Sequence, residues 1–275
     1  MKRLTYILSV LVLAAACAKE PAAPEKERVS VLFEVSAGEQ TRAIGDASGV
    51  DLLYGAVFNA DATEEYTSLR FSGNSFNPSL DLLSGETYTV VFWAQSSEGT
   101  VYSISDGDLS AISIDYSSAV ACDETMDAFY GKATFTASRG KSVSLTLQRT
   151  VSQINFLSTT PPSLQIEQKA SVSVTGGLAG SFNAVDGTAS APVADPVTFS
   201  EALVPGDEVS LSGDNIQDQN YYRAAYVYAV PVEGAVAQSV ELTIYEFDEP
   251  GNVFTVADVP LESNYRSNIT GEIFN

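Results

Sequence analysis

Apolar and polar residues alternate with a period of two along most of this chain, and helical periodicity is nearly absent, so strands are predicted throughout. Val29, Val31, Phe33 and Val35 alternate with Ser30, Leu32, Glu34 and Ser36, giving a first strand over 29–36 with one oily face. A second strand is predicted over Leu52–Phe58, and Thr87–Ala94 is oily on both faces, as a central strand should be. Val143, Leu145 and Leu147 alternate with Ser142, Ser144 and Thr146. Further on, Val172 and Val174 begin a strand, and Tyr222–Val230 again reads as buried on both faces. Ser239–Phe247 and Val253–Val259 flank the turn cluster Asp248-Glu249-Pro250-Gly251-Asn252, which predicts a hairpin. Tyr265, Ser267, Ile269, Gly271 and Ile273 suggest a last strand. Many short strands between Gly, Pro, Asn, Asp and Ser clusters mean an all-β antiparallel sandwich.

The run from Val143 to Phe156 locates a break. It is longer than a strand of ~5–6 residues, and its apolar parity switches from odd (Val143, Leu145, Leu147) to even (Ile154, Phe156). One straight strand cannot turn both sets to one core. A boundary near Gln148-Arg149-Thr150 divides the chain into β-sandwich domains over 29–150 and 151–275. The rival boundary, Thr159–Ser163, reads as a loop inside the second domain.

The N-terminus has the three regions of an export signal. Lys2 and Arg3 are positive, Leu4–Leu13 is apolar, and Ala14-Ala15-Ala16 leads into Cys17. The apolar run is shorter than the ~20 residues of a spanning helix. Residues 1–16 therefore read as a lipoprotein signal peptide, with the freed Cys17 carrying acyl chains that hold the protein on a membrane. The alternatives are an ordinary signal cleaved after Ala16 or a short anchor helix. Residues 17–28, with Pro21 and Pro24 among Ala, Glu and Lys, form a flexible tether.

Composition removes several classes of function. The chain has no histidine, hence neither the commonest general base nor the commonest metal ligand. Beyond Cys17 only Cys122 remains, so no internal disulfide or cysteine zinc site forms. Asp123 and Glu124 beside Cys122 disfavour a thiolate. The net charge of −21 becomes more negative once Lys2 and Arg3 leave, and argues against nucleic acid and anionic lipid heads as ligands. Asp106-Gly107-Asp108 and Asp214–Asn220 lack the spacing of a calcium loop and read as turns. Gly176–Gly180 has no following helix to hold a phosphate, and Trp93 reads as core. Tyr221, Tyr222, Tyr226 and Tyr228 form a candidate binding face, though half of such a strand must point inward. No catalytic residue, metal site or cofactor is identified, and an enzyme is not expected.

Four segments occur together in an informative order: Thr41-Arg42-Ala43; Asp127–Gly131; Leu147–Phe156 with Arg149, Gln153 and Asn155; and Val259–Asn268 with Asn264, Tyr265 and Arg266. With the cysteine signal they resemble the fimbrillin-like lipoproteins of Bacteroidota, the subunits and accessory subunits of type V fimbriae. Lys19-Glu20 is similar to the charged export signals of such surface lipoproteins. The resemblance implies two transthyretin-like β-sandwich domains in tandem, an outer-membrane, surface-exposed location, and assembly with other fimbrial-type subunits by strand exchange. It implies cleavage of Arg42–Ala43 by an arginine-specific protease, removal of the strand bearing Val29, Val31, Phe33 and Val35, and its replacement by a neighbour's strand. The alternative for Arg42 is a plain loop arginine. Stalk subunits continue well past the Asn-Tyr-Arg motif, whereas Asn275 follows Tyr265 closely, which favours a tip, anchor or solitary subunit. The competing function is a stand-alone glycan- or protein-binding surface lipoprotein.

Overall fold

The computed structural model describes residues 27–38, 47, 49–163, 166–211 and 220–274. Among these the regular structure is strand, broken only by short 3-10 turns. The signal segment, Cys17, the tether up to residue 26, and Arg42 and Ala43 lie outside the described residues.

The first half contains β1 (Arg28–Ala37), β2 (Leu52–Asn59), β3 (Phe71–Gly73), β4 (Ser79–Leu83), β5 (Thr87–Gln95), β6 (Tyr102–Ser103), β7 (Ile112–Ile114), β8 (Ala128–Thr136) and β9 (Ser142–Arg149). The second contains β10 (Ser152–Ser158), β11 (Gln168–Thr175), β12 (Ala179–Asn183), β13 (Thr188–Pro192), β14 (Val197–Leu203) and β15 (Glu208–Ser210). It continues with β16 (Asn220–Ala229), β17 (Val236–Glu246), β18 (Glu249–Pro260) and β19 (Arg266–Gly271).

Seven strands of the first half run β3-β2-β5-β8-β9-β1-β4. β8 and β9 pair only through Phe129 with Arg149 and Tyr130 with Gln148, so the sheet folds over at this narrow seam. Its two flaps enclose one core, in which Val31, Phe33 and Leu82 meet Leu53, Val90, Phe92 and Phe129. In the second half, sheets β15-β16-β10-β19 and β14-β11-β17-β18 face each other across Ile154, Phe156, Val172, Phe199, Val227 and Leu242. Both halves are β-sandwiches, and most of their pairings are antiparallel. Among the described strands two pairings are parallel: β1 with β9 and β10 with β19. In each half, the strand that begins it lies beside the strand that ends it.

A fourth sheet, β13-β12-β7-β6, draws on both halves. Ile112 pairs with Phe182 and Ser113 with Ser181. Beneath it the Trp93 ring lies 5.4 Å from both Tyr102 and Phe182, so the sole tryptophan is core, as its sequence context predicts, but core shared between halves. The larger apolar cluster runs without interruption from Trp93 and Ile112 into Phe156 and Val172.

The predicted hairpin near 247 is present with a different turn. Phe247 and Asp248 form the loop, with φ of 54° and 63°. Glu249–Asn252, predicted as turn, belongs to β18. Positive φ at both central residues is the type I′ pattern that matches strand twist. Pro250 is tolerated because β18 is an edge strand, where a missing N–H breaks no ladder.

Candidate functional site

β1 is the element the sequence marks for exchange, and its geometry follows from its alternation. Val29, Val31, Phe33 and Val35 are buried, while Arg28, Ser30, Leu32, Glu34 and Ser36 are exposed. The Phe33 ring packs edge-on against Phe92 at 5.6 Å and Phe135 at 5.4 Å. Outward, the Ser30 and Ser79 hydroxyls bond at 2.7 Å, and Ser144 Oγ donates to Glu34 Oε2 at 2.8 Å. Arg28 to Leu32 pair antiparallel with β4, and Leu32 to Ala37 pair parallel with β9. Beyond Leu32 the β4 side continues in the bonds Phe33 N–H to Pro78 O and Val35 N–H to Phe76 O, each 2.9 Å. Among the described strands β4 has no other partner in its sheet. At the end of β1, Gly38 N–H donates to Leu147 O, and a Cβ on Gly38 would stand 2.7 Å from that oxygen, so the close approach needs glycine. Burying the four apolar side chains contributes up to about 6–12 kcal/mol on transfer values, an upper bound.

The other family-like segments converge on the junction between the halves. Arg149 NH2 donates to Asp127 Oδ2 at 2.8 Å, with both side chains 1% exposed. The guanidinium lies 5.1 Å from the Phe129 ring centroid and 5.8 Å from that of Tyr228, stacked between residues of the two halves. Tyr228 donates to Glu124 Oε2 at 3.0 Å, and Tyr226 to the Cys122 carbonyl at 2.9 Å. Burial raises Asp127 to about 6, against the opposing pull of Arg149. Burial also lowers Arg266 to about 10, and Arg149 and Arg223 lower it further.

The chain crossing is closed by its own polar groups. Asn264 N–H donates to Val151 O, Gln153 N–H to Tyr265 O, and Ser263 Oγ to Thr150 O. Gln153 Nε2 donates to Asn155 Oδ1 at 2.9 Å, and Asn155 Nδ2 to Asn268 Oδ1 at 2.8 Å. The sequence marked Gln153, Asn155, Asn264 and Asn268 only by resemblance, whereas Thr150 also fell at the parity switch and Tyr265 at the start of the last predicted strand. In the structure they seat β9, β10 and β19 at the turn from one half into the next. Their available signal was amides and an arginine inside an apolar strand run, where polar groups persist only when paired.

The remaining candidates serve turns and packing. The Cys122 thiol is pushed up to about 11, mainly by burial and only secondarily by Glu124, which leaves it a poor nucleophile. Asp108 N–H closes the 105–108 turn onto Ser105 O, and Asp108 Oδ1 accepts from Ser110 N and Oγ in the turn that follows. Gly176 and Gly177 sit at positive φ in a turn. Tyr226 and Tyr228 share one face of β16 and are largely buried, so they hold the junction and leave little ring surface open to a ligand. No group of three or more Asp, Glu or Cys suited to a metal occurs among the described residues. No described helix is long and apolar enough to cross a membrane. A shallow cleft of about 290 Å³ lies between Asp115, Tyr116 and Ser117 on one side and Val193, Pro196 and Thr198 on the other.

No curated protein matches the chain. Among solved structures, it is similar to a proposed adhesin from Bacteroides ovatus, with 11% identity over 88% of this chain and 87% of that one, at a TM-score of 0.50. It is also similar to a proposed cell adhesion protein from Bacteroides ovatus (16% identity, 90% and 92% covered, TM-score 0.48). A third is the fimbrial anchor protein Mfa2 from Porphyromonas gingivalis (14% identity, 84% and 83% covered, TM-score 0.45). At these identities the likeness is one of fold, and the first structure carries it. The model of a family of unknown function, DUF6562, matches residues 24–275, and the chain belongs to that family.

Proposed function

We propose that this protein is an outer-membrane surface lipoprotein, anchored through Cys17, that serves as a fimbrial-type structural or adhesive subunit and accepts a neighbour's strand in place of β1. The observation that carries the reading is β1 itself. It drops four apolar side chains into one slot, keeps its other face in solvent, and lies in register between β4 and β9. Removing it leaves an oily groove bordered by unpaired backbone, which an alternating strand can fill. The fold shared with the Bacteroides ovatus protein supports an adhesive role. Arg42–Ala43 is the bond whose cleavage would free β1; a protein that keeps β1 on the cell acts as an anchor or solitary subunit. We read the halves as two domains, neither with a catalytic role.

N-terminal sequencing of protein recovered from cells tests lipidation and cleavage together. A lipid-blocked Cys17 is expected, alone or alongside a species beginning at Ala43. Palmitate labelling of wild type and its loss in Cys17→Ala, with release of that variant from the membrane, complete the test. Membrane retention of Cys17→Ala together with an unlabelled wild type overturns the anchor.

A further inference from the structure

At its hairpin end, the outer face of sheet β14-β11-β17-β18 departs from the rule that the solvent side of an antiparallel sheet is polar. Gln168 and Ala170 point inward, so Lys169 and the residues opposed to it face out. Lys169 pairs with Leu203 on one side and Tyr245 on the other, and Tyr245 pairs with Pro250. Val253 lies in the next row, opposite Thr243. Leu203 is 56% exposed, Val253 54%, and Phe247, at the hairpin tip, 77%. A bulky aromatic at positive φ is an outlier, and this one gains no burial in return. Such strain persists where another demand holds it.

The surroundings are acidic. Glu201 and Asp248 beside Lys169, and Glu241 one row beyond Val253, rim the patch and are exposed. The cation placed there, Lys169, is taken up by Asp248 at 2.5 Å and Glu201 at 3.9 Å. We propose that Leu203, Tyr245, Phe247 and Val253 form a docking surface for a protein partner that offers an apolar recess rimmed by lysine or arginine. Phe247, the most exposed of the four, is its anchor: an aromatic ring that a partner's recess can enclose is where binding energy concentrates. The charge pattern selects the occupant. A second copy of a chain with net charge −21 would bring acid against acid, whereas a basic rim complements this one. The surface is separate from β1, on the opposite half of the chain.

The test uses the full mature chain and a fluorescent acetylated octapeptide of alternating lysine and valine. Lysine–serine and glutamate–valine octapeptides are the controls. The lysine–valine peptide is expected to bind and to weaken about tenfold from low to high salt, while a peptide copy of residues 29–36 does not compete. Phe247→Asn is the decisive variant, because asparagine accepts positive φ and keeps the turn. It is expected to raise Tm while weakening the peptide about tenfold or more; Val236→Thr, on the same hairpin away from the patch, leaves binding unchanged. A lower Tm in Phe247→Asn makes the ring structural and overturns the proposal. So does undiminished binding by that variant, or equal binding of the glutamate–valine peptide. Concentration-dependent dimerisation of wild type that Phe247→Asn abolishes would make a second copy the occupant and equally overturn it.

Discussion

Each half of the chain opens with a strand that lies parallel to the strand closing it: β1 beside β9, and β10 beside β19. The two opening strands are held in opposite ways. Every residue of β10 is buried, so both its faces are committed. Ile154 and Phe156 enter the large core, while Gln153 and Asn155 lie on the other face in a chain of side-chain bonds that ends at Asn268. Ser158 Oγ accepts from Ile273 N–H at 3.1 Å, tying β10 to the last described residues. β1 commits one face and leaves the other wet. The same topology therefore yields one strand embedded on a single face, as the proposed exchange requires, and one embedded on both. The difference lies in how many faces are buried, because each side chain of β1 has an equivalent that any alternating strand can supply.

The largest effect that tests this contrast is the loss of β1 as a whole. A protein trimmed after Arg42 is expected to melt at least ~10 °C below the intact one. A peptide of residues 29–36 should restore stability, and the same peptide with Val31 and Phe33 changed to Asp should not. In β10, Phe156→Ala should cost about 3–5 kcal/mol in denaturant titrations, and a peptide of residues 152–158 should restore nothing. Recovery in that second experiment, or an unchanged melting temperature in the first, removes the distinction.

The junction gives the next largest effect. Arg149→Ala vacates the space between Phe129 and Tyr228 and leaves Asp127 without its counter-charge, an expected loss of about 3–5 kcal/mol. Because the guanidinium touches rings of both halves, the loss should appear as one earlier transition for the whole chain. Two separated transitions, one of them unshifted, would show that the halves unfold independently despite their shared core.

Much of this was legible in the sequence, and the limits are physical. A period of two reveals a strand's face, so the burial of Val29, Val31, Phe33 and Val35 and the doubly buried runs at β5 and β16 follow directly. The parity switch between Leu147 and Ile154 corresponds to the end of β9 at Arg149 and the start of β10 at Ser152. β6 and β7 span two and three residues, too short for periodicity to register, so the sheet joining the halves could not be read. The Phe247-Asp248 turn was hidden because Glu249–Asn252 has stronger turn chemistry and the edge position of β18 tolerates Pro250. The junction pairs groups far apart in sequence, Arg149 with Asp127 and Tyr228 with Glu124, which no local pattern encodes.

A smaller effect is set by pH at the same junction. Asp127 titrates near 6 in the fold and near the ordinary aspartate value of 3.8 when unfolded. Between those values the folded state binds more protons, so stability is fully present below about 3.8 and falls as pH rises through about 6. The shift corresponds to about 2–3 kcal/mol. Asp127→Asn mimics the protonated form and should remove this loss, leaving the variant at least as stable as wild type at neutral pH. Asp51, Asp61, Asp108 and Asp115, lowered mainly by hydrogen bonds to neighbouring serine and threonine, give the opposite slope at lower pH and are common to both proteins. A variant less stable than wild type at neutral pH and equal to it near pH 5 would mean that the ion pair outweighs burial.

The smallest effect concerns the charged clasp at the start of β1, where Arg139 meets Glu27 and Arg28 NH1 donates to the Asp81 carbonyl at 3.1 Å. Both members of the Arg139–Glu27 pair are mostly exposed, at 82% and 62%. Exposed pairs contribute about 0–1 kcal/mol and are screened by salt. Glu27→Gln should therefore leave stability within about 1 kcal/mol of wild type. Raising sodium chloride should leave β1 in place, as read by proteolysis at Arg42 and by uptake of the 29–36 peptide. The grip on β1 comes from Val31 and Phe33 inside the groove, and burial of that kind is not screened by ions. If salt alone releases β1, or if Glu27→Gln destabilises the protein as much as Phe33→Ala does, the strand is held by charge. The contrast with β10 would then rest on electrostatics and not on the number of buried faces.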